Sequence, residues 1–213
     1  KHPVCQKPLL RKALAAALNK EELIREVRAG LGEPANRGFC PPVLSSGGIP
    51  VEKIYPDSIA FWVQEAGFKN PSQVPEFVLH TDPTYAAFTT AIVGQWRAAG
   101  FQVRSEIMDR SSLKAAVAQG QLDCFRASWI ADYPDPLNVL SLFDADLKAP
   151  NGPNYTQFAH PEVQELLHKA TRLAPGPERQ ALVRQIEWLL RQEMPVIPVY
   201  YDVSQRFIGS NVT

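Results

Sequence analysis

The stretch from Glu76 to Trp129 constrains this chain most, because its hydrophobic period switches between two and 3.6 residues at regular intervals. Glu76 to His80 reads as a strand and Tyr85 to Ala99 as a helix. Gln102 to Met108 reads as a second strand, Ser111 to Gln119 as a helix and Asp123 to Trp129 as a third strand. Such a rhythm predicts an α/β (α+β) fold, a mixed β-sheet flanked by helices.

The flanking segments fit the same plan. Leu10, Ala13, Leu14, Ala17, Leu18, Leu23, Ile24 and Val27 recur at three- and four-residue steps, predicting amphipathic helix from Leu9 to about Val27, broken or recapped at Asn19. From Gly30 to Pro56 the chain turns to Gly, Pro and Ser, with Cys40-Pro41-Pro42 and Ser45-Ser46-Gly47-Gly48, and an irregular segment is expected. Asp57 or Ser58 caps a helix to Ala66 that Gly67 stops. After a loop rich in Pro, Asn and Asp come helices at Pro161 to Leu173 and Pro177 to Glu193, the second with Ile186, Leu189 and Leu190 on one stripe. Val196 to Tyr201 and Gln205 to Ile208 read as strands. There is no internal repeat, and residues 1–213 are expected to form one unit.

Lys plus Arg equals Asp plus Glu at 22 each in 213 residues, so no positive surplus is available for a nucleic acid or an anionic membrane. No run approaches the roughly 20 apolar residues of a membrane span. Lys1-His2-Pro3-Val4-Cys5 lacks the apolar core of a signal peptide, so the sequence is expected to begin after any targeting segment. Cys5, Cys40 and Cys124 show no CxxC pair and no histidine at metal spacing. They read as buried thiols, or as one oxidised pair of unspecified partners and one free thiol.

No nucleophile elbow, phosphate loop or HExxH motif is present, and His2, His80, His160 and His168 read as solvated or internally satisfied. An enzyme is not expected, and no cofactor or metal is implied. The densest functional-looking stretch is Cys124 to Pro136. In a regular strand, Cys124, Arg126 and Ser128 share one face, and Phe125, Ala127 and Trp129 the other. At most one of Arg126 and Trp129 is then expected to face a cleft. Asp132 sits on a loop fixed by Pro134 and Pro136, where a carboxylate is well placed to capture an ammonium group. The competing reading makes Asp132 and Asp135 turn formers, Trp129 core and Arg126 half of a structural salt bridge.

Six segments, in order, resemble the peptide- and nickel-type solute-binding proteins of ABC importers, family 5 of the bacterial extracellular solute-binding proteins. They are Leu10 to Glu21, Tyr55-Pro56-Asp57 with Glu65 to Phe68, Trp96 to Val103, the signature Trp129-x-x-Asp132-Tyr133-x-Asp135-Pro136, Asn154-Tyr155 with Pro161 to Leu166, and Met194 to Tyr200. The resemblance implies a periplasmic-binding-protein-like lobe (type II, cluster C), the second of two that close over a ligand. It implies a periplasmic or otherwise extracytoplasmic, monomeric receptor that hands peptides to an inner-membrane permease. The aspartate matching Asp132 would pair with the peptide's ammonium and the arginine matching Arg126 would lie near its carboxylate, with Trp129, Ala131 and Tyr133 also facing ligand. Family members are about twice this length or more, so the lobe that completes the cleft is expected to lie outside this sequence. Receptors of the same fold for nickel chelates, haem or sugars, and the sensing domain of a transcription regulator, are the alternatives.

Overall fold

Side-chain caps and prolines set the helix starts in this chain. In the computed structural model, which describes residues 2–44 and 58–203, Pro occupies the first position of five helices, where its missing N–H breaks no bond. The elements run α1 (Pro3–Gln6), α2 (Pro8–Ala16), α3 (Lys20–Val27), β1 (Glu33–Pro34), α4 (Ser58–Glu65), β2 (Phe77–Thr81), α5 (Ala86–Ala98), β3 (Val103–Ile107), α6 (Arg110–Ala118), α7 (Pro136–Leu140), α8 (Pro161–Thr171), α9 (Pro177–Glu193) and β4 (Tyr200–Tyr201). The expected break at Asn19 is real: its side chain accepts the Glu22 N–H at 3.0 Å and starts α3. Asp109 caps α6 in the same way through Ser111 and Ser112.

β2 and β3 pair in parallel from Phe77 opposite Val103 to Thr81 opposite Ile107, with α5 as the crossover. Successive residues of a strand direct their N–H and C=O groups to opposite edges. Phe77 and Thr81 therefore bond toward β3, while His80 turns its N–H to the Cys124 carbonyl and its C=O to the Arg126 N–H. The expected third strand shrinks here to one parallel bridge, Phe125 opposite His80. The reason is local: Ser128 to Pro134 departs from the sheet as loop, so the ladder has no further residues to add. The second sheet is an antiparallel pair, β1 with β4. The expected tail strand from Val196 is thus only Tyr200–Tyr201, and β1 interrupts the segment read as irregular. Ser45 to Pro56 and the Gln205 to Ile208 strand lie outside the described residues.

Two apolar clusters form the core. The first gathers α1 to α5 around β2 and β3, with Leu10, Leu14, Phe77, Ile92 and Trp96 buried and the Trp96 indole N–H donating to the Leu14 carbonyl at 2.9 Å. The second joins Cys40, α7, α8 and α9 through Leu140, Phe143, Val163, Ile186 and Leu190. Arg11 of α2 reaches between them, donating to the Glu193 and Met194 carbonyls at the carboxyl end of α9 and to the Cys5 carbonyl.

The buried stripe of α9 contains a residue that its pattern does not suggest. Glu187, with no exposed surface, accepts the Phe39 and Cys40 N–H groups at 3.0 and 2.9 Å, and burial raises its pKa. Gly38 makes room for it: the backbone there has φ +123°, and a Cβ would lie 2.5 Å from the Glu187 Oε1 atom. Tyr201 closes the same corner by donating to the Gly38 carbonyl at 2.7 Å.

Glu187→Leu is therefore expected to lower unfolding stability by about 2–4 kcal/mol in urea titration, because one buried and one part-buried N–H group lose their acceptor. Gly38→Ala should destabilise through both strain and contact. Lys20 provides a pH prediction. Its ammonium is buried against one carbonyl, that of Ala35 at 2.8 Å, and burial pushes its pKa from 10.5 down to about 8. Between those values the unfolded chain binds more protons, so this residue makes stability rise with pH. Measured against Lys20→Met, the wild type should gain up to about 3 kcal/mol from pH 8 to 10.5.

Candidate ligand-binding site

The chain leaves β2 toward β3 on one side and returns, after α6, to pair Phe125 on the other. Connections from the carboxyl end of β2 therefore diverge, and in parallel sheets such a point opens a crevice between the outgoing loops. Tyr85, in the 3-10 turn Pro83–Tyr85 that follows β2, and the segment 126–133 both emerge there. Asp82 holds the first of these loops by accepting the Thr84 N–H at 2.8 Å.

Arg126 is the centre of the arrangement. Its backbone N–H is tied to His80, and its guanidinium carbon lies 3.0 Å from the centroid of the Tyr85 ring. Its in-plane donors reach Ser128 Oγ and the Tyr200 hydroxyl at 3.4 Å each. No carboxylate among the described residues lies within ion-pair distance, so the expected structural salt bridge is not formed. Arg28 differs: it stacks on Tyr200 at 4.0 Å, donates to its hydroxyl at 2.9 Å and is neutralised by Asp202 at 2.7 Å. The net result is a held cation at the carboxyl end of β2 that no carboxylate among the described residues neutralises.

Trp129 is not core. It is 37% exposed, and its indole N–H donates to Asn138 Oδ1 at 2.8 Å, which fixes the ring against α7. Ile130, Ala131, Asp132 and Tyr133 are all exposed, Ile130 at 86%. Asp132 has no hydrogen-bond or ionic partner among the described residues. Because the chain from Ala127 onward is loop rather than strand, the expected opposition of Arg126 and Trp129 across a strand does not hold.

Asp135 is the structural aspartate of the pair. It caps α7 through the Leu137 N–H at 2.8 Å and binds Arg179 of α9 at 2.7 Å, with both side chains largely covered. Each histidine has a partner: His2 and His160 cap α1 and α8 through Nδ1, with His2 Nε2 buried without a hydrogen bond among the described residues, His80 Nδ1 lies 3.0 Å from the Cys124 carbonyl, and His168 pairs with Asp146 at 2.9 Å. Asp144, Asp146 and His168 bring potential metal-ligand atoms within 4.8 Å of one another. The Gln164 amide donates to both carboxylates there, at 2.8 and 3.0 Å.

All three cysteines are free. Cys40 lies in the second core cluster, whereas Cys5 donates to the Asp123 carbonyl at 2.9 Å, beside Cys124. Burial pushes the Cys5 thiol up to about 11 and that of Cys124 up to about 12, which keeps both neutral. A concavity of about 560 Å³ between α8 and α9 is lined by Glu162, Arg184, Trp188 and their neighbours and by none of residues 126–133. The latter form an open edge.

Tyr85, Tyr200 and Arg28 were not singled out by sequence, since residues from three distant segments share no spacing. The two aspartates separate by stability. Asp135→Ala should cost about 2–3 kcal/mol in urea unfolding, from a lost cap and a half-buried ion pair. Asp132→Ala should stay within about 0.5 kcal/mol.

Known proteins extend this geometry. A family model for bacterial extracellular solute-binding proteins, family 5 Middle, matches residues 1–151. The oligopeptide-binding protein OppA of Bacillus subtilis is 25% identical over 204 residues, and the dipeptide-binding protein DppE of the same organism 28% over 210. Each alignment covers 90% of this chain but only 36% and 37% of those relatives, so the chain spans under two fifths of their length. Among solved structures, the murein tripeptide binding protein MppA of Escherichia coli superposes with a TM-score of 0.83 at 21% identity, over 95% of this chain and 40% of that one. AppA of Bacillus subtilis, solved with a nonapeptide, gives 0.80 at 21% identity, over 93% and 42%. The chain thus has the fold of the corresponding part of those proteins, and it belongs to the bacterial extracellular solute-binding proteins of family 5.

Proposed function

We propose that this chain is the second lobe of the substrate-binding component of an ABC import system, and that the complete protein binds peptides between two lobes and delivers them to a membrane permease. One observation carries the reading. Arg126 and Asp132, six residues apart on the open edge beyond β2, are opposite charges without ionic partners among the described residues. A zwitterionic ligand offers both missing partners. Asp132 would receive the peptide ammonium and Arg126 the carboxylate, while Trp129, Ala131 and Tyr133 supply surface for the ligand's backbone and side chains. The peptide binding named for OppA, DppE and AppA agrees with that chemistry.

The exposure of the whole edge supports a second lobe that covers it on closure, since a half-built cleft leaves ionic contacts in water where they are weak. The family's extracellular character supports a place outside the cytoplasmic membrane. Calorimetric titration of the complete protein with a panel of two- to five-residue peptides tests the reading. Free-amine peptides should bind, their N-acetylated forms should bind at least about 30-fold more weakly, and Asp132→Asn should abolish that difference. Absence of binding across the panel would refute it.

A further inference from the structure

We infer that Tyr85 is a specificity-determining positioning residue: by stacking on Arg126 it presents the guanidinium edge-on to the ligand and so sets the preference for a free carboxylate over a neutral carboxyl end. The inference rests on the ligand carboxylate lying at Arg126, as proposed above.

An arginine side chain carries large rotamer freedom, and an arginine without a carboxylate partner ordinarily keeps it in solvent. Here three restraints remove that freedom. The backbone on which Arg126 stands is bonded to His80 at 2.9 Å. The Tyr85 ring covers one face of the guanidinium at 3.0 Å, and the Tyr200 hydroxyl accepts from its edge at 3.4 Å. Tyr200 is itself immobilised: Arg28 stacks on its ring and donates to its oxygen at 2.9 Å, and Phe88 packs edge-on against it at 5.4 Å between centroids.

The geometry has a chemical consequence. Stacking uses the faces of the guanidinium and leaves its in-plane N–H donors, which match the two oxygens of a carboxylate. The contacts to Ser128 and Tyr200 are long and neutral, so a carboxylate can displace or supplement them with little loss. A neutral amide accepts through one oxygen and gains less from the same cation. Removing the ring would free Arg126 to rotate and weaken the carboxylate without touching the rest of the peptide. Tyr85 comes from the turn after β2 and Arg126 from the segment bonded to the edge of β2 opposite β3, so the stack also tests whether the two outgoing loops act together.

The test uses the complete protein, the tightest free-acid peptide from the panel above and its C-terminal amide, titrated against wild type, Arg126→Gln, Tyr85→Leu, Tyr85→Phe and Tyr200→Phe. The readout is the ratio of amide to acid Kd. Wild type should favour the acid, Arg126→Gln should bring the ratio near one, and Tyr85→Leu should lower it by about 10-fold, within the range of a partly desolvated cation–π contact, while the amide's own Kd holds. Tyr85→Phe should retain the ratio, because the ring face is what acts, and Tyr200→Phe should lower it less than Tyr85→Leu. An unchanged ratio in Tyr85→Leu, or equal weakening of acid and amide, would overturn the inference. So would an unchanged ratio in Arg126→Gln, which leaves the ammonium assignment to the acetylated peptides. Loss of all peptide binding in wild type would instead remove the functional reading on which the inference stands.

Discussion

Everything at the open edge beyond β2 depends on β2 being bonded on both sides. Its odd residues bond to β3 and His80 bonds to Cys124 and Arg126, so a five-residue strand carries two neighbours at once. Phe77, Leu79 and Thr81 alternate into the interior, and this burial fixes the register: a one-residue slip would turn the core face out. With β2 fixed, the turn ending at Tyr85 and the loop beginning at Arg126 must leave the sheet side by side. The side chains that meet there come from the turn after β2 and from the segment bonded to its edge opposite β3.

The remainder of the described chain is held by polar groups bonded inside it. Arg11 satisfies carbonyls at the end of α9 that the helix itself leaves open, joining α2 to the far side of the molecule. Glu187 does the converse for the turn at Phe39 and Cys40, whose N–H groups point into the protein. Both bonds link segments well over a hundred residues apart. Their partners are backbone atoms, so they depend on where the chain passes rather than on which side chain stands there.

That distinction explains how far the sequence could be read. The alternation at Phe77 to Thr81, the helical stripes and the Asn19 cap are local patterns, and all appear where expected. Glu187 was invisible in a stripe read from apolar residues, because only a facing turn with free N–H groups makes a carboxylate tolerable there. The segment 123–129 has strand-like composition but one bridge, since the chain leaves the sheet as loop just beyond it. The sequence favours Asp132 over Asp135 as the ligand candidate, but the competing reading makes both of them turn formers. Arg179, forty-four residues away, makes one of them structural and leaves the other open.

By itself the sequence determined the alternation of helices and strands, the helix boundaries written in caps and prolines, and the family whose motifs it carries in order. Those properties follow from contacts within a turn or two of chain. Tertiary structure decided which charges are spent and which are left: Asp135 on Arg179, Arg28 on Asp202, Arg126 on two tyrosines and, among the described residues, no acid. Charge pairing is set by distance in space, and the distances here are closed by strands and loops that the chain brings together from remote positions.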